Sequence, residues 1–244
     1  QSHQIGRVVL PASLDKENYV RFIDVAGIQG SIHNDLGLRD FTVDALAVPL
    51  DRIGTSEWSQ HILDPFGGRK DIKSRILRAV RKSVFHDDPL RMLRAVRLSA
   101  TRGFQIESHT VNLIIARSRY VTTAASERVR DEFLSVLSSN KAKESLKIMD
   151  NLGLLCCIMP ELGYTKGVDQ PIEHYWDVFN HSIEAVGAVE RVVPPSKEDP
   201  VVADVPWNED ITKHFAEEVS DGHNRTTILK LAALLHDIAK PQTK

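Results

Sequence analysis

Cysteine is nearly absent: Cys156 and Cys157 are the only two, and they stand side by side in an apolar run. Adjacent cysteines supply neither a disulfide framework nor the paired spacing of a zinc site, and they point to a reducing compartment. Charge of one sign is also missing. Lys and Arg number 31 against 33 Asp and Glu, a net charge of -2. A globally basic nucleic-acid binder is excluded, so any RNA-binding surface must be a local basic stripe offset by acidic segments elsewhere. There is no signal peptide and no apolar run long enough to span a membrane, so a cytoplasmic location is expected, or an organelle after processing, with no membrane partner. The paired glycines at 67 and 68 are not followed by Gly-Lys-Ser/Thr, which excludes a P-loop. No internal repeat or low-complexity tract occurs.

What is present is an ordinary soluble composition, 42% hydrophobic and 26% charged over 244 residues, enough for more than one domain. Three regions differ in character. Residues 1–58 carry strand-like runs at Arg7–Leu10, Val20–Ala26 and up to Val48. Alternation over Arg21–Val25 predicts a strand with one buried face. Residues 59–165 read as mostly helical. Residues 166–244 hold two helical segments around a polar, proline-containing stretch at about 192–226, expected to be an insertion or mobile loop. The chain opens inside a sheet-like region and stops just after a His-Asp pair, so it is expected to be a piece of a longer protein.

Five segments carry candidate chemistry. In Asp35–Leu46, Asp40 is placed to cap a helix bearing Phe41, Val43, Ala45 and Leu46, and Arg39 offers bidentate donors to a phosphate. A capped amphipathic helix with a surface arginine accounts for the same residues. Asp64–Ile72 contains Gly67-Gly68, which permits a sharp reversal and a hinge between lobes, or a plain turn. Phe85–Arg97 is the most informative. Asp88 and Pro89 suit a helix start, Gly103 suits its end, and Leu90, Leu93 and Val96 make an apolar stripe. Arg91, Arg94 and Arg97 recur every third residue on the neighbouring face. A structural helix more often mixes charge signs, so a phosphate or nucleotide partner competes with a merely solvated face. Asp88 and Arg91 together offer an acceptor and a donor to one base edge. Ser126–Leu134 opens another amphipathic helix, with Ser126 as its expected cap. Last, His181 and the pair His236-Asp237 supply imidazole and carboxylate ligands for a divalent transition metal, or a buried polar pair.

Taken in order, these segments resemble the class II tRNA nucleotidyltransferase and bacterial poly(A) polymerase family. Leu38–Ala45 resembles its Arg-Arg-Asp-Phe-Thr-x-Asn-Ala motif, Asp64–Ile72 its Asp-x-x-Gly-Gly-x-x-Asp-Leu hinge, Phe85–Arg97 its Glu-Asp-Pro-x-Arg-x-Leu-Arg-Ala-x-Arg segment, and Glu127–Leu134 its Glu-Arg-x-Arg-Asp-Glu motif. The likeness covers about 100 residues closely and runs on through Gly103–Glu107.

The resemblance implies an α+β fold: a truncated palm-like sheet, an all-helical neck and body, and a helical HD segment. The implied divisions are a partial head at 1–58, hinge and neck at 59–140, an RNA-binding body at 141–170 and a partial HD domain at 171–244. It implies addition of CCA or A to the 3′ end of tRNA from ATP and CTP, with Mg²⁺ as cofactor. Arg39 and Asp40 would contact phosphate and ribose, Asp88 and Arg91 would read the base, and Arg94 with Arg97 would complete the nucleotide site. Asp64, Gly67, Gly68 and Asp71 would form the hinge. Asp24 would be the third carboxylate of the superfamily. His181, His236 and Asp237 would begin an HD phosphohydrolase metal site. Leu38, Asp44 and Asp87 depart from the motifs, where the family has Arg, Asn and Glu, and Asp44 offers no amide donor. The Gly-Gly-x-Val-Arg-Asp and Asp-x-Asp motifs do not occur, so the chain as written is expected to be catalytically incompetent. An HD phosphohydrolase and a non-catalytic RNA-binding relative are the alternatives.

Overall fold

The structure, a computed structural model, describes residues 5–9, 22–28, 30–169 and 175–243. Leu10, Val20 and Arg21 of the expected strand runs lie outside the described residues. The remainder forms β1 (Ile5–Val9) and β2 (Phe22–Ala26), an antiparallel pair in which Arg7 faces Asp24. Both are strands as the β-branched runs predict. The expected buried face is absent: every residue of β2 is exposed, and among the described residues no layer covers this two-stranded pair.

Helix α1 (Ile32–Gly37) is capped by Ser31, whose Oγ accepts the Asn34 N–H at 3.2 Å. The helix expected after Asp40 is only a 3-10 turn, Thr42–Asp44. Tertiary contacts override it. Phe41 is fully buried, bridges to Ala79 and packs near Phe85, which holds its backbone extended. Next come α2 (Gly68–Ser74), β3 (Ile76–Leu77), α3 (Val84–Asp87), α4 (Arg91–Arg102), β4 (Gln105–Ile106) and α5 (Ser108–Ile115). β3 and β4 pair in parallel, so the neck is not all-helical. Gly103, at φ 69°, ends α4 in the left-handed conformation that glycine adopts without a Cβ clash.

The body contains α6 (Ser126–Leu137), α7 (Ala142–Asn151), α8 (Leu155–Ile158) and α9 (Pro160–Tyr164). Ser126 does not cap α6: it is the first helical residue, after Ala125, and makes no capping bond. The C-terminal part holds α10 (Val178–Val192), α11 (Glu209–Ala216), the hairpin β5 (Glu218–Ser220) and β6 (His223–Asn224), α12 (Arg225–Leu235) and α13 (Lys240–Thr243). The polar stretch expected to be a loop therefore carries a helix and a hairpin. Asn208 caps α11, and Trp207 stacks on Phe215, which gives this segment apolar support of its own.

One apolar cluster runs from Phe41 and Leu77 through Met92, Leu93, Val96, Phe133, Leu137 and Leu146 to Phe179, Ile183 and Leu234. It continues across residues 140 and 170. The stripe Leu90, Leu93 and Val96 is buried as its spacing predicts. A buried lysine ties the body to the C-terminal helices. Lys230 on α12 donates to Ser139 O at 2.7 Å and to Glu190 Oε1 at 3.2 Å. Glu190 on α10 in turn accepts the Ala142 and Lys143 N–H groups that open α7. The charge is buried, but it is paired with the Glu190 carboxylate and hydrogen-bonded to Ser139 O.

Candidate nucleotide site

Asp40 is the centre of the arrangement. It is 6% exposed, and two arginines from α4 reach it: Arg91 Nε lies 3.2 Å from Oδ1 and Arg94 Nε 3.1 Å from Oδ2. A carboxylate this buried must be paired or it would not remain charged. The i, i+3 spacing of Arg91 and Arg94 puts both guanidiniums over the same point, so α4 is latched to the 38–45 segment. Arg91 also donates from Nη2 to Leu38 O at 3.1 Å. Arg39 points elsewhere: it pairs with Asp35 one turn back, at 3.2 Å, and its side chain is half exposed. Asp40, expected against a ribose, instead faces the two arginines as an ion pair, and its buried Oδ2 accepts no hydrogen bond.

Asp44 stands where the family has Asn. It accepts the Phe41 N–H at 3.0 Å, as an amide oxygen would. Burial, and then repulsion from Asp40, push its carboxyl above the usual range.

The rest of α4 faces α6. Asp88 sits in the turn before α4, where Oδ1 accepts the Leu90 N–H at 3.1 Å and Oδ2 accepts from Arg128 at 2.9 Å. Arg97 donates to Glu132 at 2.6 Å. Arg128 and Glu132 are one helical turn apart on α6, so α6 grips both ends of the arginine row with opposite charges. These residues line a cleft of about 390 Å³ that includes Asp88, Arg91, Arg94 and Arg97. The arginine row is therefore not on an open solvated face. A second cleft of about 680 Å³ also borders Arg91 and is lined by Arg39, Asp40, Arg81 and Asp87. Arg81 was not singled out from the sequence. No spacing rule signals it, because its partner Asp87 is six residues away across a turn and α3.

The glycine segment packs tightly. Asp64 accepts the Gly68 N–H at 2.6 Å and the Arg69 N–H at 3.1 Å, capping α2. Gly67 takes φ 77°. Gly68 has no room for a side chain: a Cβ there would lie 2.0 Å from Thr42 O. Asp71, 4% exposed, accepts from Thr42 Oγ1 at 2.7 Å and Arg78 Nε at 3.0 Å. Gly68 and Asp71 thus tie α2 to the Thr42 turn, while Asp64 caps α2.

Among the described residues, Asp24 does not gather with other metal ligands. Both its oxygens accept from Arg7, at 2.7 and 2.8 Å, which also holds its carboxyl below the ordinary range. One arginine-paired carboxylate does not fit a two-metal Mg²⁺ site. Among the described residues, the group of three close ligands is His181, His236 and Asp237, whose donor atoms lie within 4.8 Å of one another. His181 comes from α10 and His236 from the end of α12. His236 Nδ1 is 2.8 Å from Ala233 O, which fixes the ring and leaves Nε2 for a ligand. Nε2 is 3.1 Å from Asp237 Oδ2, and the His181 and His236 rings are 5.2 Å apart. The donor set fits a divalent transition metal, although Lys240 Nζ reaches the same Asp237 oxygen at 2.6 Å.

Residues 11–78 match the Poly A polymerase head domain, and residues 103–165 match the family described as the probable RNA and SrmB-binding site of polymerase A. The A-adding tRNA nucleotidyltransferase of Deinococcus radiodurans is 32% identical over 225 residues, 90% of this chain and 43% of that protein. The CC-adding tRNA nucleotidyltransferase of Geobacter sulfurreducens is 33% identical over 220 residues, 89% of this chain and 45% of that protein. This chain thus spans less than half the length of these curated relatives. Among solved structures, the Thermotoga maritima CCA-adding enzyme in complex with tRNA superposes with TM-score 0.56 at 22% identity, covering 91% of this chain and 51% of that one. A tRNA-processing enzyme with CTP gives TM-score 0.60 at 20% identity, over 92% and 55%. The structural likeness carries the fold. The two matched domains, in the order that the sequence motifs require, place this chain in the class II tRNA nucleotidyltransferase and poly(A) polymerase family.

Proposed function

We propose that this chain supplies the nucleotide-selecting part of an enzyme that adds CCA or A to the 3′ end of tRNA, with ATP and CTP as substrates. The observation that carries the reading is the convergence on one row of arginines. Asp40 from the first motif, Asp88 and Arg91 from the third, and Arg128 and Glu132 from the fourth all meet along α4. In this reading Asp88 and Arg91 present acceptor and donor edges to the incoming base, and protein side chains replace a template. Arg94 shares Asp40 with Arg91, so the two guanidiniums bring one positive charge more than that carboxylate balances, and Arg94 is assigned to the triphosphate. Asp40 positions both arginines, and Arg97, held by Glu132, fixes the far end of the row. Arg39 lies at the mouth of the second cleft as a phosphate contact. Asp64, Gly67, Gly68 and Asp71 are assigned as the pivot between head and neck, and the helices beyond residue 140 as the surface that meets tRNA. Mg²⁺ chemistry would need carboxylates beside Asp24 that the described residues do not supply.

The test is incorporation of labelled ATP and CTP, separately and together, into tRNA lacking its 3′ end, by the full-length protein with Mg²⁺. Addition of C then A, or of either alone, supports the reading. No addition by folded protein refutes it.

The cluster of His181, His236 and Asp237 favours a second activity, metal-dependent phosphohydrolysis. Its test is release of phosphate from nucleotides by the full-length protein with Mn²⁺, Co²⁺ or Ni²⁺. Activity that Asp237→Asn leaves intact would rule it out.

A further inference from the structure

Most arginines and lysines among the described residues meet a carboxylate, but at one place five do not. Arg69, Lys70 and Lys73 on α2, Arg75 just after it and Arg102 at the end of α4 are all exposed and make no ion pair among the described residues. The two helix ends meet: Arg75 Nη1 donates to Arg102 O at 2.9 Å, and the Gln105 N–H donates to Arg75 O at 2.7 Å. Arg69 is likewise tied to a backbone carbonyl, Ser59 O, at 3.3 Å. Both guanidiniums are thus anchored without losing their charge. The carboxylates nearby are given to other donors. Asp64 caps α2, Asp71 accepts from Thr42 and Arg78, and Glu107 accepts the Thr110 N–H and pairs with Arg78. Counting Arg78, residues 64–78 and 102–107 carry six cations against three carboxylates, in a chain whose overall balance is slightly acidic.

Two features of this patch work against the stability of the fold. Arg69 and Lys73 are four apart on α2, and Lys70 and Lys73 three apart, so like charges crowd one side of a short helix. Arg75 takes φ 54°, the left-handed conformation that glycine adopts freely and arginine adopts under strain. An arginine held where the backbone favours glycine, beside cations with no partner in the fold, is explained by an anion from outside. Charges spread over two elements suit a polyanion that presents successive charges better than one small ion. We infer that these five residues grip the phosphate backbone of the RNA substrate. Such contacts position an RNA without reading its sequence. Arg102 lies eleven residues beyond Arg91 on α4, about 16 Å along the axis and about 20° round from the same line. At about 3.4 Å per stacked nucleotide, the grip falls roughly five nucleotides back from a 3′ end held at the arginine row. The inference rests on the tRNA reading above and adds to it a contact surface apart from the helices beyond residue 140.

The experiment is fluorescence anisotropy of a labelled minihelix, the acceptor arm of tRNA without its CCA end, titrated with the full-length protein at a series of salt concentrations. Lys70→Gln/Lys73→Gln is expected to melt no lower than the parent, because it removes like-charge neighbours. It should lose about tenfold in affinity near 0.1 M salt, and its slope of log affinity against log salt should flatten by about 1.8, at about 0.9 for each lost phosphate contact. Arg75→Gly relieves the left-handed strain yet should lose about threefold in affinity, the share of one such contact. A purely structural Arg75 predicts the reverse, a lower melting temperature with parental affinity. The control is Lys197→Gln/Lys213→Gln, which removes two cations from the 192–226 stretch and should bind as the parent does. Parental affinity or an unchanged salt slope in Lys70→Gln/Lys73→Gln, parental affinity in Arg75→Gly, or an equal loss in the control overturns the inference and leaves the tRNA reading standing. A parent that binds no RNA overturns both.

Discussion

Removing the Asp40 carboxylate is the sharpest perturbation of this site. In Asp40→Ala, Arg91 loses its Nε partner while its side chain remains only 18% exposed, and Arg94, at 45%, loses the same partner in a wetter setting. Removing one partner of a buried ion pair costs about 3–5 kcal/mol, because the remaining charge is left uncompensated. Arg94 is exposed enough to be rehydrated, so it adds little. Arg91 keeps its bond to Leu38 O, which places the expected loss near the lower end, about 3 kcal/mol. Urea unfolding should therefore show a lower midpoint at unchanged m-value. Replacing Arg91 by Met removes the orphaned charge. The double variant Asp40→Ala/Arg91→Met should regain about 2 kcal/mol relative to the sum of the single changes. A loss below about 1 kcal/mol for Asp40→Ala, or strict additivity in the cycle, would refute the claim that Asp40 latches α4 to the 38–45 segment.

Two further outcomes follow from single residues. Gly68→Ala places a Cβ 2.0 Å from the backbone oxygen of Thr42, which has no flexible end to yield. Overpacking against backbone should cost at least about 3 kcal/mol, read as a fall in Tm, whereas Gly67→Ala, with open space but φ 77°, should cost about 1 kcal/mol. Asp44→Asn should stabilise the protein at neutral pH. The folded carboxyl titrates above its unfolded value of 3.8, so its contribution to stability falls as pH rises from that value through the folded one. Melting at pH 7 should favour the Asn variant, and the difference should close near pH 3, where the carboxyl is protonated in both states. A gain independent of pH would contradict the burial argument.

Much of the helical part is legible in the sequence because periodicity and punctuation are local. The stripe Leu90, Leu93 and Val96 marks the buried face of α4, and Gly103 marks its end, since few other residues take φ 69° without strain. The ordered motifs are also local, so they identify the family even though Leu38, Asp44 and Asp87 depart from them. Local signals fail where a distant partner decides. The helix expected after Asp40 gives way to a 3-10 turn because Phe41 bridges to Ala79. Ser126 does not cap α6, and the stretch at 192–226 holds α11 and a hairpin, supported by the packing of Trp207 on Phe215.

The sequence by itself determined which residues carry charge and on which face of α4 they repeat, because a helix has a fixed period. Which carboxylate each arginine meets was decided only by tertiary structure. Arg91 and Arg94 go to Asp40, Arg97 to Glu132, and Asp88 takes Arg128, over separations of up to 54 residues that no spacing rule encodes. Arg81 and its unsatisfied donor came to light only in the folded chain, because a missing partner is a property of the space around a group and not of its place in the sequence.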